Sequence, residues 1–116
     1  MVHILCLDND ENLLRLLHSF LKSQGYQVMV GKDGREGLEQ FSNGYDFNLV
    51  ITDINMPIVD GTMVAKHIRN SEKANIPIVA ITGSYESLIE RELFDHVLIK
   101  PFKLETLFDV VKSYVG

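Results

Sequence analysis

The sequence predicts an α/β domain in which a parallel five-stranded sheet is covered by helices on both faces. Three observations carry this. Short β-branched or aliphatic runs recur five times along the 116 residues. Stretches with helical spacing separate them, and the polar residues capable of chemistry fall just after the apolar runs. The length suits one compact domain.

The first predicted strand is His3–Leu7, bounded by Asp8. Leu13, Leu14, Leu17, Phe20 and Leu21 then fall at i, i+1, i+4, i+7 and i+8, making one apolar stripe on a helix that begins near Glu11. Asp8 or Asp10 can cap its start, and Gly25 stops it. The second strand is Gln27–Val30. Asp33 caps a helix from Gly34 towards Phe41, although Gly34 and Gly37 lower its propensity. Phe47–Thr52 reads as the third strand, and a helix after Gly61 turns Val64, Ala65 and Ile68 inward. Ile76–Thr82 is the fourth strand, Glu86–Phe94 a short helix at best, and Val97–Ile99 the fifth strand. Leu104, Leu107, Phe108, Val111 and Tyr114 mark the last helix. Right-handed crossovers leave few topologies for such a chain. No internal repeat, low-complexity tract or linker interrupts it, so residues 1–116 read as a single domain.

Composition narrows the function classes. The chain is 46% hydrophobic, yet no apolar run approaches the roughly 20 residues of a membrane-spanning helix. The N-terminus lacks the basic start of a signal peptide, so a soluble cytoplasmic protein with no membrane association is expected. Net charge is −5, with the charges interspersed, which argues against a nucleic-acid surface. Cys6 is the only cysteine and lies in an apolar stretch, so it is expected to be a small core residue.

In open parallel sheets the functional crevice lies outside the carboxyl ends of the strands. Strand one ends in Asp8, followed by Asn9 and Asp10; strand three meets Asp53, with Asn55 two residues later. Strand four ends in Thr82 and strand five in Lys100, while strand two contributes only Gly31 and Lys32. Crowded carboxylates repel one another unless a cation neutralises them. Hard oxygen ligands without Cys or His clusters favour Mg²⁺. Adding a lysine and a threonine makes a phosphoryl group the missing partner, with a carboxylate as its nucleophile.

These residues resemble the receiver domain of response regulators, and the resemblance covers the full chain. Its most specific piece is Ile51-Thr52-Asp53-Ile54-Asn55-Met56-Pro57-Ile58-Val59-Asp60-Gly61, matching the family's phosphoacceptor segment. Lys100-Pro101-Phe102, after Ala80-Ile81-Thr82, matches the end of the family's fifth strand. The resemblance implies a doubly wound, flavodoxin-like fold with sheet order 2-1-3-4-5. It implies a phosphorelay role in a two-component system, in which Asp53 takes a phosphoryl group from a histidine kinase or phosphotransfer protein. By the same resemblance, Mg²⁺ would be held by Asp8, Asp53 and the backbone carbonyl of Asn55. Lys100 would pair with a phosphoryl oxygen, and Thr82 would swing in to bond another. That movement would alter a protein-interaction surface around the fourth helical segment and fifth strand, met by an unknown downstream protein. The resemblance also implies a cis bond before Pro101. It describes a phosphoacceptor rather than a conventional enzyme.

Three departures stand out. The acidic pair after strand one is here Asp8-Asn9, which removes a charge from the metal site and predicts weaker Mg²⁺ affinity unless Asp10 reaches in. Val97 stands where the family usually carries Tyr or Phe, so the usual threonine–aromatic coupling cannot operate in its standard form. Strand alternation points the neighbouring His96 to the opposite face. Finally, only 18 positions separate Thr82 from Lys100, a few short of the usual span, which makes a borrowed dimer model unsafe.

His3, His18, His67 and His96 show no metal-ligand spacing and are expected to be structural or solvent-facing. Ser84 and Asn55 would flank the phosphoryl group by the same resemblance. Phe47, Phe102 and Phe108 read most simply as packing residues. An Asp-x-Asp phosphohydrolase reading, with Asp8 as nucleophile and Asp10 as acid/base, leaves the Met-Pro-x-x-Asp-Gly segment unexplained and finds no acidic pair after Lys100. Flavodoxin shares the topology, but the Ser/Thr/Gly-rich phosphate loop is absent after strand one. The alternative of weight is a receiver-fold binding module acting without phosphate, motivated by Asn9 and Val97. No output domain accompanies the receiver, so a stand-alone regulator, the N-terminal part of a longer one, or a piece of a hybrid kinase all fit.

Overall fold

In a computed structural model, which describes residues 1–84 and 90–116, five parallel strands form one sheet. They are β1 (His3–Leu7), β2 (Gln27–Gly31), β3 (Leu49–Asp53), β4 (Ile78–Thr82) and β5 (His96–Ile99), in the order β2-β1-β3-β4-β5. Four α-helices accompany them among the described residues: α1 (Glu11–Ser23), α2 (Gly34–Ser42), α3 (Gly61–Arg69) and α4 (Leu104–Val115). The doubly wound order is the one the resemblance implied.

Strand alternation sorts the side chains into two cores. Leu5, Leu7, Val50, Ile78, Ala80 and Val97 face α2 and α3, where Phe41, Val64, Ala65 and Ile68 meet them. Ile4, Cys6, Leu49, Ile51, Val79, Ile81 and Leu98 face α1 and α4, against Leu14, Leu17, Leu21, Leu107 and Val111. Strands buried on both faces read as continuous apolar runs, which is why all five were visible in the sequence. Cys6 is buried as expected, and burial, with the charge of Asp8 adding to it, pushes its thiol pKa up to about 12.

The strand boundaries moved for local reasons. Pro77 has no N–H to give a ladder, and β4 starts one residue after it rather than at Ile76. β3 starts at Leu49 instead of Phe47, whose side chain nevertheless enters the core. The caps agree with expectation: Asp33 accepts from the Glu36 N–H, and Gly25 follows α1 with φ 95°. Phe102 and Phe108 pack against the α1/α4 core, with Phe108 edge-on to Phe20 at 5.8 Å. Part of the expected Glu86–Phe94 helix lies outside the described residues. Of the rest, Arg91–Leu93 forms a single 3₁₀ turn.

Arg69, which no sequence pattern singled out, fastens that turn to α3. Its guanidinium donates to Leu93 O at 2.9 and 3.0 Å, Ala74 O at 2.6 Å, Ile76 O at 2.7 Å and Asp95 Oδ2 at 2.8 Å. Asp95 also accepts from the Ile78 N–H at 2.8 Å and, through its carbonyl, from the Tyr114 hydroxyl at 2.9 Å. The N-terminal ends of β4 and β5 are thereby tied to both helical layers.

Candidate functional site

Register brings the polar strand ends together. Leu7 lies opposite Thr52, Asp53 opposite Ile81, and Thr82 opposite Ile99. Asp8, Asp53, Thr82 and Lys100 therefore meet at the carboxyl edge of three adjacent central strands and β5. Asp8 and Thr82 are fully buried and Asp53 nearly so.

The two carboxylates share one ammonium. Lys100 Nζ lies 3.0 Å from Asp8 Oδ2 and 3.3 Å from Asp53 Oδ2. The remaining oxygens are held by backbone: Asp8 Oδ1 accepts from the Asp10 N–H at 2.8 Å, and Asp53 Oδ1 from the Asn55 N–H at 3.2 Å. Burial, and after it the charge of Asp8, raises the pKa of Asp53; Lys100 and the Asn55 N–H oppose that rise. For Lys100, burial works against the charge, but the hydrogen bond and charge of Asp8, then those of Asp53, outweigh it and raise the pKa.

Thr82 is turned along its own loop. Its hydroxyl donates to Ser84 O at 3.0 Å and accepts from the Ser84 N–H at 3.3 Å. Asn9 and Asp10 are exposed, and Asp10 spends its carboxylate capping α1, accepting from the Asn12 and Leu13 N–H groups at 3.0 and 3.2 Å. The compensation that would need Asp10 in the metal site is thus not the arrangement adopted. Lys100–Pro101 is cis, as the resemblance implied. Val97 is buried beside Phe94 in the α2/α3 core.

The segment after Asp53 is tightly built. The Val59 N–H donates to Pro57 O at 2.8 Å, closing a three-residue turn on Ile58 at φ 68°, a left-handed conformation uncommon for a β-branched residue. Asp60 caps α3 by accepting from the Met63 N–H at 2.9 Å. The first residue of α3 is pressed against the acceptor: a Cβ on Gly61 would stand 2.2 Å from Asp53 O.

The donors suit a small hard cation. Asp8 Oδ2 is a buried carboxylate oxygen that accepts no hydrogen bond. Beside it stand the Asp53 carboxylate and the backbone of Asn55, all oxygen donors of the kind Mg²⁺ takes. No group of three or more His, Cys, Asp or Glu side chains able to hold a metal occurs among the described residues, as expected when Asn9 replaces an acid. The four histidines do not gather; His67 packs edge-on to Phe41 at 6.1 Å. The pairing of Lys100 with Asp8 was not predicted, because nothing in sequence spacing records how far a lysine side chain reaches across a strand edge.

Comparisons with known proteins agree on the family. The model of the response regulator receiver domain matches residues 4–112. The response regulator RR06 of Streptococcus pneumoniae is 31% identical over 98% of this chain, which spans 53% of that protein, so the chain covers about half of its relative. Among solved structures, the response regulator TrrA of Thermotoga maritima in complex with Mg²⁺ and BeF is 32% identical with a TM-score of 0.88, covering 98% of this chain and 99% of that one. TrrA has also been solved in complex with the histidine kinase ThkA, and matches there with a TM-score of 0.87. The chemotaxis protein CheY4 of Vibrio cholerae is 28% identical, with a TM-score of 0.89 and 98% coverage of each chain.

Proposed function

The chain belongs to the response regulator receiver family of two-component signalling, and we propose that Asp53 is the residue on which it receives a phosphoryl group. The observation that carries this reading is the meeting of Asp53, Asp8 and Lys100 in one buried-edged site, with both Oδ2 atoms turned to the same ammonium. A carboxylate oxygen of Asp53 attacks the phosphorus of a phosphohistidine. The new O–P bond forms as the N–P bond breaks, and the departing imidazole takes up a proton from solvent. Asp8, Asp53 and the Asn55 carbonyl would hold Mg²⁺, which when bound offsets the charge of the phosphoryl oxygens. Lys100 pairs with one of those oxygens. The Thr82 hydroxyl leaves Ser84 for another and draws its loop with it.

The donor is a histidine kinase or phosphotransfer protein, a reading supported by the kinase complex of TrrA. Mg²⁺ use is supported by the Mg²⁺–BeF complex of the same relative. The domain accepts and holds a phosphoryl group in the cytoplasm and presents its state to a downstream protein; it does not turn over a substrate. Asn9 and the buried Val97 favour a second reading, a phosphate-independent binding module on the same fold.

The two separate cleanly. The protein is incubated with acetyl phosphate, with and without Mg²⁺, and its intact mass followed beside Asp53→Asn. A Mg²⁺-dependent gain of one phosphoryl group, missing in the variant, is the expected result. No adduct from acetyl phosphate or from any histidine kinase tried would leave the binding module.

A further inference from the structure

We infer that Lys100 is also the site's internal counter-cation, holding the metal position closed until Mg²⁺ displaces it; this rests on the metal-assisted reading above. Each carboxylate has two oxygens, and in both residues the same division is seen. One oxygen is fixed by backbone: Asp8 Oδ1 by the Asp10 N–H and Asp53 Oδ1 by the Asn55 N–H. The other, Oδ2, faces the Lys100 ammonium, at 3.0 Å for Asp8 and 3.3 Å for Asp53. One cation therefore stands between the two oxygens that a divalent ion needs.

Two cations cannot share that position. Mg²⁺ binds oxygens at about 2.0–2.1 Å, so an ion on both Oδ2 atoms would lie against the ammonium, at a cost no interior screening removes. Loading is then an exchange, with the metal entering as Lys100 leaves. Asn9 sharpens this. Two carboxylates against one ammonium leave a single net negative charge, and no further acid offers the ion a foothold that spares the lysine. Asp8 is the tighter of the two contacts and its Oδ2 is enclosed, so that contact is the one to break. Once released, the same ammonium is available to a phosphoryl oxygen. Metal entry thus primes the lysine for its second partner, and the order of events is built into the side chains.

The test titrates Mg²⁺ into the whole protein by calorimetry, comparing wild type with Lys100→Met. The variant should bind Mg²⁺ at least about tenfold more tightly, since it has no cation to expel. Affinity equal to or weaker than wild type overturns the inference. Because Lys100→Met leaves Asp8 buried without a counter-charge and can fail to fold, the lysine ammonium resonances of the wild-type protein are followed by NMR through the same titration. The Lys100 resonance should move with the calorimetric midpoint, and a resonance unmoved at saturation refutes displacement. If neither protein binds Mg²⁺ at any concentration, the metal-assisted reading falls and this inference with it. If both bind equally, only the inference falls.

Discussion

Gly61→Ala tests whether the acceptor segment is as rigidly placed as its contacts indicate. The added Cβ would stand 2.2 Å from Asp53 O, 2.9 Å from Ile54 Cα and 3.0 Å from Asp53 C. All three are backbone atoms, so no rotamer change relieves them. β3 cannot yield, being paired on both sides and buried along its whole length. α3 is fixed by Val64, Ala65 and Ile68, none of them exposed to solvent. Overpacking costs about 1–3 kcal/mol and more where neighbours are fixed. The gain in helix propensity offsets about 0.5–1 kcal/mol of that, leaving a net loss of about 2–3 kcal/mol. With a urea m-value of about 1.5 kcal/mol/M, the unfolding midpoint should fall by about 1.5–2 M. Gly83→Ala is the control, since nothing lies within 4 Å of its added Cβ. Acetyl phosphate should also label Gly61→Ala more slowly than wild type under conditions where both are folded, because the clash falls on the acceptor's own carbonyl. A midpoint shift no larger than that of Gly83→Ala would refute the reasoning, showing that α3 slides freely past the site.

The remaining predictions follow from single contacts. Asn9→Asp should tighten Mg²⁺ binding, because a carboxylate about 4 Å from a divalent ion gains about 2 kcal/mol even at the dielectric constant of water; calorimetry that shows less than about a threefold change would separate Asn9 from the metal site. Asp53→Asn should stabilise the protein at neutral pH. The folded state holds the Asp53 pKa above its unfolded value, so the wild type loses stability as pH rises through that raised pKa. The amide variant escapes this, and its advantage should vanish below about pH 4, where the unfolded carboxyl is also protonated. Denaturation profiles that run parallel across that range would contradict the assignment. Arg69→Met should cost about 2–3 kcal/mol, less than a fully buried ion pair because Arg69 is partly exposed. An unchanged urea midpoint would mean that water replaces the guanidinium at every carbonyl.

What could be foreseen from the sequence divides by range of interaction. Continuous apolar runs announced the strands because both sheet faces are covered, and a run such as Leu49–Ile51 has no polar side to disguise it. The site was foreseen for a topological reason: in a parallel sheet every strand ends at the same edge, so Asp8, Asp53, Thr82 and Lys100 had to be neighbours once the strands were placed. What escaped depends on side-chain reach and backbone angle. The preference of Lys100 for Asp8 over Asp53 is a matter of 0.3 Å between 3.0 and 3.3 Å. The left-handed turn at Ile58 contradicts that residue's own preference; the packing of Val59 and Met56 on either side of it overrides that preference. Arg69 sits in a helix whose inward face was correctly read from Val64, Ala65 and Ile68, yet its partners are carbonyls of residues up to 24 positions away. Backbone carbonyls carry no signature in a sequence, so a clasp made of them is invisible until the chain has closed on itself. The short return from Thr82 to Lys100 makes such a clasp the more necessary, because a brief 3₁₀ turn buries too little apolar surface to hold its own place.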